Sequence, residues 1–124
     1  MFEILENKTI CITRGDIANF DVSAKLKNGD PYVFHKGDVV RFQVFNKKDC
    51  TDVKIKKDFY VEAETESVDI YLATEETRFG EVINKPVEYW YEVVVNPDTK
   101  PQTIIGYDKE SEKIYRMYPE GVSE

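Results

Sequence analysis

Cysteine is scarce in this chain, with only Cys11 and Cys50, and histidine is scarcer, with His35 alone. A structural zinc site draws most of its ligands from these two residue types at short spacings, and neither the count nor the spacing is present. The two cysteines read as free thiols, Cys11 on an apolar strand and Cys50 in a loop; a bridge between them is the weaker alternative. One histidine also restricts acid–base chemistry. Ser23, Ser67 or Ser111 would each need His35 as its base, and no Gly-x-Ser-x-Gly, His-Glu-x-x-His or paired Asp-x-Glu context accompanies it. His35 therefore reads as a surface or hydrogen-bonded residue at a strand entry, and no catalytic, cofactor-binding or metal-ligating residue is expected.

Long apolar runs are missing as well. A mean hydropathy of -0.51 with 33% charged residues leaves no stretch for a membrane-crossing helix. The opening residues MFEILENK have neither a basic region nor an apolar run of signal-peptide length, and no lipidation motif follows Met1, so synthesis in the cytoplasm is the expectation. Positive charge is in deficit: 17 Lys and Arg against 24 Asp and Glu give a net charge of -7. Nucleic acid, which needs a basic face to displace its counterions, is a poor partner for such a chain. The only basic cluster is KIKKD, with Lys54, Lys56 and Lys57 set among acids, and it reads as a solvated strand face. The acidic loop KKDCTD, with Asp49 and Asp52, lacks the Asp-x-Asp-x-Asp-Gly array of a calcium loop, which makes its carboxylates solvated ones.

What is abundant is alternation. TICIT at 9–13 is β-branched; in IANFDVSAKL at 17–26, Phe20, Val22, Ala24 and Leu26 alternate with Asn19, Asp21, Ser23 and Lys25. Asn28-Gly29 supplies a tight reversal, because both residues accept positive φ. In DVVRFQVFN, Val40, Phe42 and Val44 face one way and Arg41 and Gln43 the other. TDVKIKKDF is an edge strand whose lysines discourage further pairing. SVDIYLA alternates again, and TEETRFG at 74–80 is the one helical turn, with a Thr cap and a terminating Gly. VEYWYEVVV is apolar or aromatic on both faces, as a central strand covered on two sides would be. QTIIG and KIYRMY complete the set. The pattern predicts a single all-β domain over residues 1–124, an antiparallel, Ig-like β-sandwich of about eight strands with one short helical turn near 74–80.

Arg14-Gly15-Asp16 falls between two of these strands. Read as a cell-adhesion tripeptide it would need a projecting extracellular loop; read as structure, Gly15 supplies backbone freedom and Asp16 turns or caps the connection. The structural reading is the stronger.

A strand ending in ITRGD, an alternating strand, an Asn-Gly hairpin, a Tyr-containing segment and GDVVRFQV follow one another in that order. Beyond them come IYLATEETRFGE, VEYWYEVVV, a turn and QTIIG. From about residue 8 to 118 this succession resembles the N-terminal domain of phage baseplate upper proteins. The resemblance implies a β-sandwich in the tail tip of a Gram-positive siphophage or prophage, made in the bacterial cytoplasm and assembled into the tail. Its partners there would be other tail and baseplate proteins or further copies of itself, with no nucleic acid, no membrane and no catalytic residue. Members of that family usually continue into a helical stalk, whereas PEGVSE at 119–124 carries no heptad.

The aromatics supply the remaining site residues. Tyr89 and Tyr91 share the phase of Val93 and Val95 and belong to the core. Trp90 and Val94 face the opposite way, as does Phe45 relative to Val44. Phe45, Trp90 and Val94 are thus the candidate docking patch, Trp being enriched at interface hot spots, with coverage of Trp90 by a loop or by TEETRFG as the competing reading. A carbohydrate-binding sandwich is the alternative function, and it would need two or more exposed coplanar aromatics around a shallow groove.

Overall fold

In a computed structural model of the chain, residues 1–106 and 113–121 are described. They form β1 (Phe2–Ile4), β2 (Ile10–Thr13), β3 (Ala18–Val22), β4 (Val39–Phe45), β5 (Val53–Tyr60), β6 (Val68–Leu72), α1 (Thr74–Thr77), β7 (Val87–Val95), β8 (Gln102–Ile105) and β9 (Ile114–Tyr118). The fold is all-β and sandwich-like. A seven-stranded sheet runs β1-β2-β9-β7-β4-β5, with β8 also paired to β7, and a two-stranded sheet is made of β3 and β6.

Alternation explains the layers. Ala18 and Val22 of β3 and Val68, Ile70 and Leu72 of β6 are buried, as are Val40, Phe42 and Val44 of β4 and Tyr91, Val93 and Val95 of β7. They belong to one core, which the aromatics help to knit. Phe20 meets Phe42 edge-on at 5.9 Å between ring centroids, and Phe42 lies 5.7 Å from Tyr91. Each fully buried side chain of this size contributes about 1.5–3 kcal/mol. β5 is the edge strand its lysines suggest, and β7 is central, bonded to β4, β8 and β9.

Every named strand pair is antiparallel except β2 with β9, which run parallel from Ile10 beside Tyr115 to Thr13 beside Tyr118. Parallel neighbours need a long connection, and here almost the whole chain lies between them. The ninth strand, β1, is a three-residue edge strand, too short to stand out as alternation; Phe2 fixes it by stacking on Phe20 at 5.7 Å. The reversal forms at the expected place, but Gly29 alone takes positive φ (+92): its N–H donates to the Leu26 carbonyl, which puts Lys27 and Asn28 at the centre of the turn, and Lys25 pairs with Pro31. Leu26, which continues the apolar phase, is nonetheless exposed, because it sits in that turn beyond the sheet.

The helical turn differs in its cap. Ala73, not a threonine, occupies the N-cap, and the Glu76 carboxylate reaches back to accept from the Ala73 N–H at 2.8 Å. Thr77, fully buried, donates its hydroxyl to the Asp16 carbonyl at 2.8 Å and so ties the turn to the Arg-Gly-Asp segment.

That segment is structural in all three residues. Gly15 has φ +91. The Asp16 side chain meets the Met1 amino group instead of capping the turn. Arg14 is buried at 7% exposure, and its guanidinium donates to the carbonyls of Arg78 (3.0 Å), Phe79 (3.3 Å) and Gly80 (2.8 Å) and to Glu120 Oε2 (2.7 Å). It thereby satisfies a run of carbonyls that no strand pairs, which alternation alone gives no reason to anticipate. Charge-assisted bonds of this kind contribute more than neutral ones, and deleting the donor leaves its acceptors short of partners. Replacing Arg14 by Ala is expected to lower unfolding stability by about 2–4 kcal/mol, whereas Arg78→Ala, at a half-exposed side chain, should cost under about 1 kcal/mol. Urea unfolding of the two variants checks the contrast.

Candidate functional site

The outer face of the larger sheet is set by the register of β4 with β7. Arg41 lies opposite Val94, Gln43 opposite Glu92 and Phe45 opposite Trp90. On the other edge of β7, Glu88 faces Arg116 and Trp90 faces Ile114 of β9. Phe45 and Trp90 are therefore direct cross-strand neighbours, both half-buried, with Ile114 completing an apolar row across three strands. A register shift between Val44 and Phe45 against β5 marks a bulge at this end of β4, a feature that re-aims side chains at sheet margins.

Val94 lies on the same face but stands apart. The Gln43–Glu92 pair, bonded at 2.9 Å, separates it from Trp90, and Val94 is only 7% exposed between Arg41 and Thr103. Of the three residues, then, Phe45 and Trp90 come together at the surface and Val94 does not. Within TEETRFG, Phe79 packs edge-on against Tyr89 at 5.1 Å, on the core side.

Ion pairs frame the apolar row. Arg41 grips Asp58 with two bonds of 2.7 and 3.1 Å and also reaches Asp98 at 3.2 Å. Arg116 holds Glu88 at 2.8 Å, and Lys47 reaches the other Glu88 oxygen at 3.3 Å. The hydrogen bond from Arg41 holds the Asp58 carboxyl below the usual carboxylate range, and that from Arg116 does the same for Glu88, each against the opposing effect of burial. A shallow cleft of about 560 Å³ opens beside Trp90, with Lys47, Lys48 and Lys54 on its wall. The face is a half-buried aromatic pair inside a charged frame, the general anatomy of a protein contact with an apolar centre and a polar rim.

The remaining candidates are dispersed. Cys11 is buried, Cys50 is exposed, and neither is bridged. His35 is exposed, and its backbone N–H donates to Asp38 Oδ2 at 2.9 Å. Ser23 and Ser67 are exposed, and Ser111 lies outside the described residues. Asp49 Oδ1 is occupied within its own loop by the N–H and hydroxyl of Thr51, and Asp52 pairs with Lys54 at 3.0 Å. Lys57 bonds Glu76 and the Tyr71 carbonyl, both at 2.7 Å, while Lys56 is solvated. Among the described residues no group of three or more His, Cys, Asp or Glu is arranged to hold a metal, and no helix is long and apolar enough to cross a membrane. Sequence reasoning missed the Arg41–Asp58 clamp and the Gln43–Glu92 bond; both follow from strand register, which becomes visible only once the sheets are assembled.

Compared with models of protein families, with curated proteins and with solved structures, the chain matches none.

Asp58 and Glu88 have lower pKa values folded than unfolded, so the unfolded chain binds more protons as pH falls below about 4. Their contribution is fully present above that range and is lost as pH drops through the folded values. Stability is expected to decline with acid in this window, and Asp58→Asn should flatten the decline, as measured by urea midpoints from about pH 5 to about pH 3.

Proposed function

We propose that this chain is a non-catalytic assembly module of a phage or prophage tail baseplate, docking to other tail proteins or to its own copies through the outer face of the larger sheet. It would be made in the bacterial cytoplasm and built into the tail. The observation that carries the reading is the Phe45–Trp90 cross-strand pair, half-buried on a sheet face whose other side is the core and flanked by the Arg41–Asp58 and Arg116–Glu88 pairs. The order of motifs from ITRGD to QTIIG, which resembles the N-terminal domain of baseplate upper proteins, supplies the biological setting. A sandwich alone would not, since one fold serves many functions.

The sugar-platform alternative has less support. The most exposed aromatics among the described residues are Tyr60 at 72% and Tyr71 at 41%, and they stand on different sheets, β5 and β6. No pair of coplanar rings is offered to a pyranose there.

The test is the solution mass by light scattering across a concentration series, on the intact chain and on Trp90→Ala and Phe45→Ala, with circular dichroism as the check on folding. A mass that rises with concentration and falls back to the monomer in both folded variants supports docking through this face. The reading then gains its setting if a purified tail protein binds the intact chain and not the variants. A monomer at every concentration that no purified tail protein binds would overturn it.

A further inference from the structure

We propose that a groove along the free edge of β8 receives an extended, acidic polypeptide segment, which adds to β8 as a further strand. Among the described residues β8 pairs with β7 alone, so the N–H and C=O groups on its other edge have no strand partner. Exposed edges are ordinarily guarded by charge, brevity or proline. The β5 edge carries Lys54, Lys56 and Lys57 and the β1 edge is three residues long, but Gln102, Thr103, Ile104 and Ile105 of β8 hold no charge. Pro101 stands only at the entrance.

The edge borders a groove, not open solvent. Its facing wall is the hairpin arm Ala24–Lys27 with Tyr32, across a cleft of about 470 Å³ from Gln102–Ile104. A second cleft of about 440 Å³ shares Tyr32 and Gln102 with the first and extends past Lys100 toward His35. Together the two clefts are lined by every residue from Lys100 to Ile104.

Its charge selects the occupant. Lys25, Lys27 and Lys100 line the two clefts, all exposed, and none makes an ion pair among the described residues. Elsewhere Arg14, Arg41, Lys47, Lys54, Lys57, Arg78 and Arg116 each hold a carboxylate, and Lys8, Lys36, Lys48, Lys56 and Lys85 are unpaired too among the described residues; the groove is distinguished by bringing three such lysines to one strand edge. The one carboxylate lining the groove, Asp38, accepts from Asn96 Nδ2 at 3.1 Å and from the His35 N–H at 2.9 Å, neutral donors that leave its charge in place, so three lysines there face a single carboxylate. In a chain of net charge -7, a groove with three unpaired lysines is complementary to carboxylates. An acidic polysaccharide could answer the lysines but not the strand edge, whose donors and acceptors repeat at the spacing of a peptide backbone. The two features together specify polypeptide. This surface is separate from the Phe45–Trp90 pair, and the inference stands whether or not the chain belongs to a phage tail.

The test is an NMR titration of the ¹⁵N-labelled chain with a capped peptide of alternating Glu and Thr, about eight residues long to span a strand. The comparison ligands are its Lys-Thr counterpart, the same Glu-Thr peptide N-methylated at alternate residues, and alginate. The expected result is saturable shifts at residues 24–32 and 100–105 with the Glu-Thr peptide. Binding should weaken by about tenfold or more on N-methylation and in the Lys25→Glu, Lys27→Glu, Lys100→Glu variant, which stays folded because these side chains are exposed and unpaired. The proposal is overturned by an absence of saturable shifts at millimolar peptide, by equal binding of the Lys-Thr or N-methylated peptide, or by alginate moving these amides when the Glu-Thr peptide does not.

Discussion

The register of β7 is the constraint from which most of this molecule follows. Along one edge it pairs with β4 from Val95 back to Trp90; along the other it pairs first with β9 and then with β8. Side chains on a strand alternate with a period of two, so a slip of one residue would send Tyr91, Val93 and Val95 to the outside and bring Glu88, Trp90 and Glu92 into the core. Burial of the first set and the charges of the second make that slip costly. The same register sets Trp90 beside Phe45 and, among the described residues, leaves β8 attached by one edge only. Core, outer face and open edge are thus consequences of one strand's phase.

A second constraint acts where the sheets do not reach. The run from Thr77 to Gly80 belongs to neither sheet, and its carbonyls would be left without partners if nothing donated to them. Arg14 supplies that donor from the end of β2, Thr77 returns a bond to Asp16, and Glu120 closes the cluster by accepting from both Arg14 and Arg78. Gly15 suits the place between them because its φ of +91 is a backbone conformation that side chains rarely adopt. A tripeptide that suggests adhesion is in this chain a joint between the two halves of the sequence, with Arg14 and Gly15 buried and Asp16 partly exposed.

How much of this could be read from the residues depended on whether local pattern or distant pairing decided the matter. β3, β4, β6 and β7 announce themselves because alternation is a local property, and the phase of Tyr89 and Tyr91 against Trp90 places them correctly on opposite faces. The lysines of β5 mark it as an edge for a reason that acts within the strand. β1 is too short for periodicity to register. The parallel pairing of β2 with β9 brings together residues from the two ends of the described chain, which no window of sequence contains. Val94 has the right phase for an outer patch yet is covered, because Arg41 and Thr103 on neighbouring strands close over it. The helix cap went to Glu76 through Ala73 and not to a threonine, since the carboxylate oxygen that returns to the cap N–H is also the one that Lys57 holds.

The distribution of charge separates the two surfaces left to a partner. On the outer face almost every cation is spent on a neighbour: Arg41 on Asp58 and Asp98, Arg116 and Lys47 on Glu88. Such satisfied pairs add little net attraction for a partner, and what remains to drive association is the apolar row of Phe45, Trp90 and Ile114. Along β8 the exposed Leu26 also contributes apolar surface, but among the described residues the groove adds unpaired lysines and an unpaired backbone edge. Screening by salt acts strongly on exposed charges and hardly at all on apolar burial. Contact through the groove should therefore weaken more with rising ionic strength than contact through the outer face.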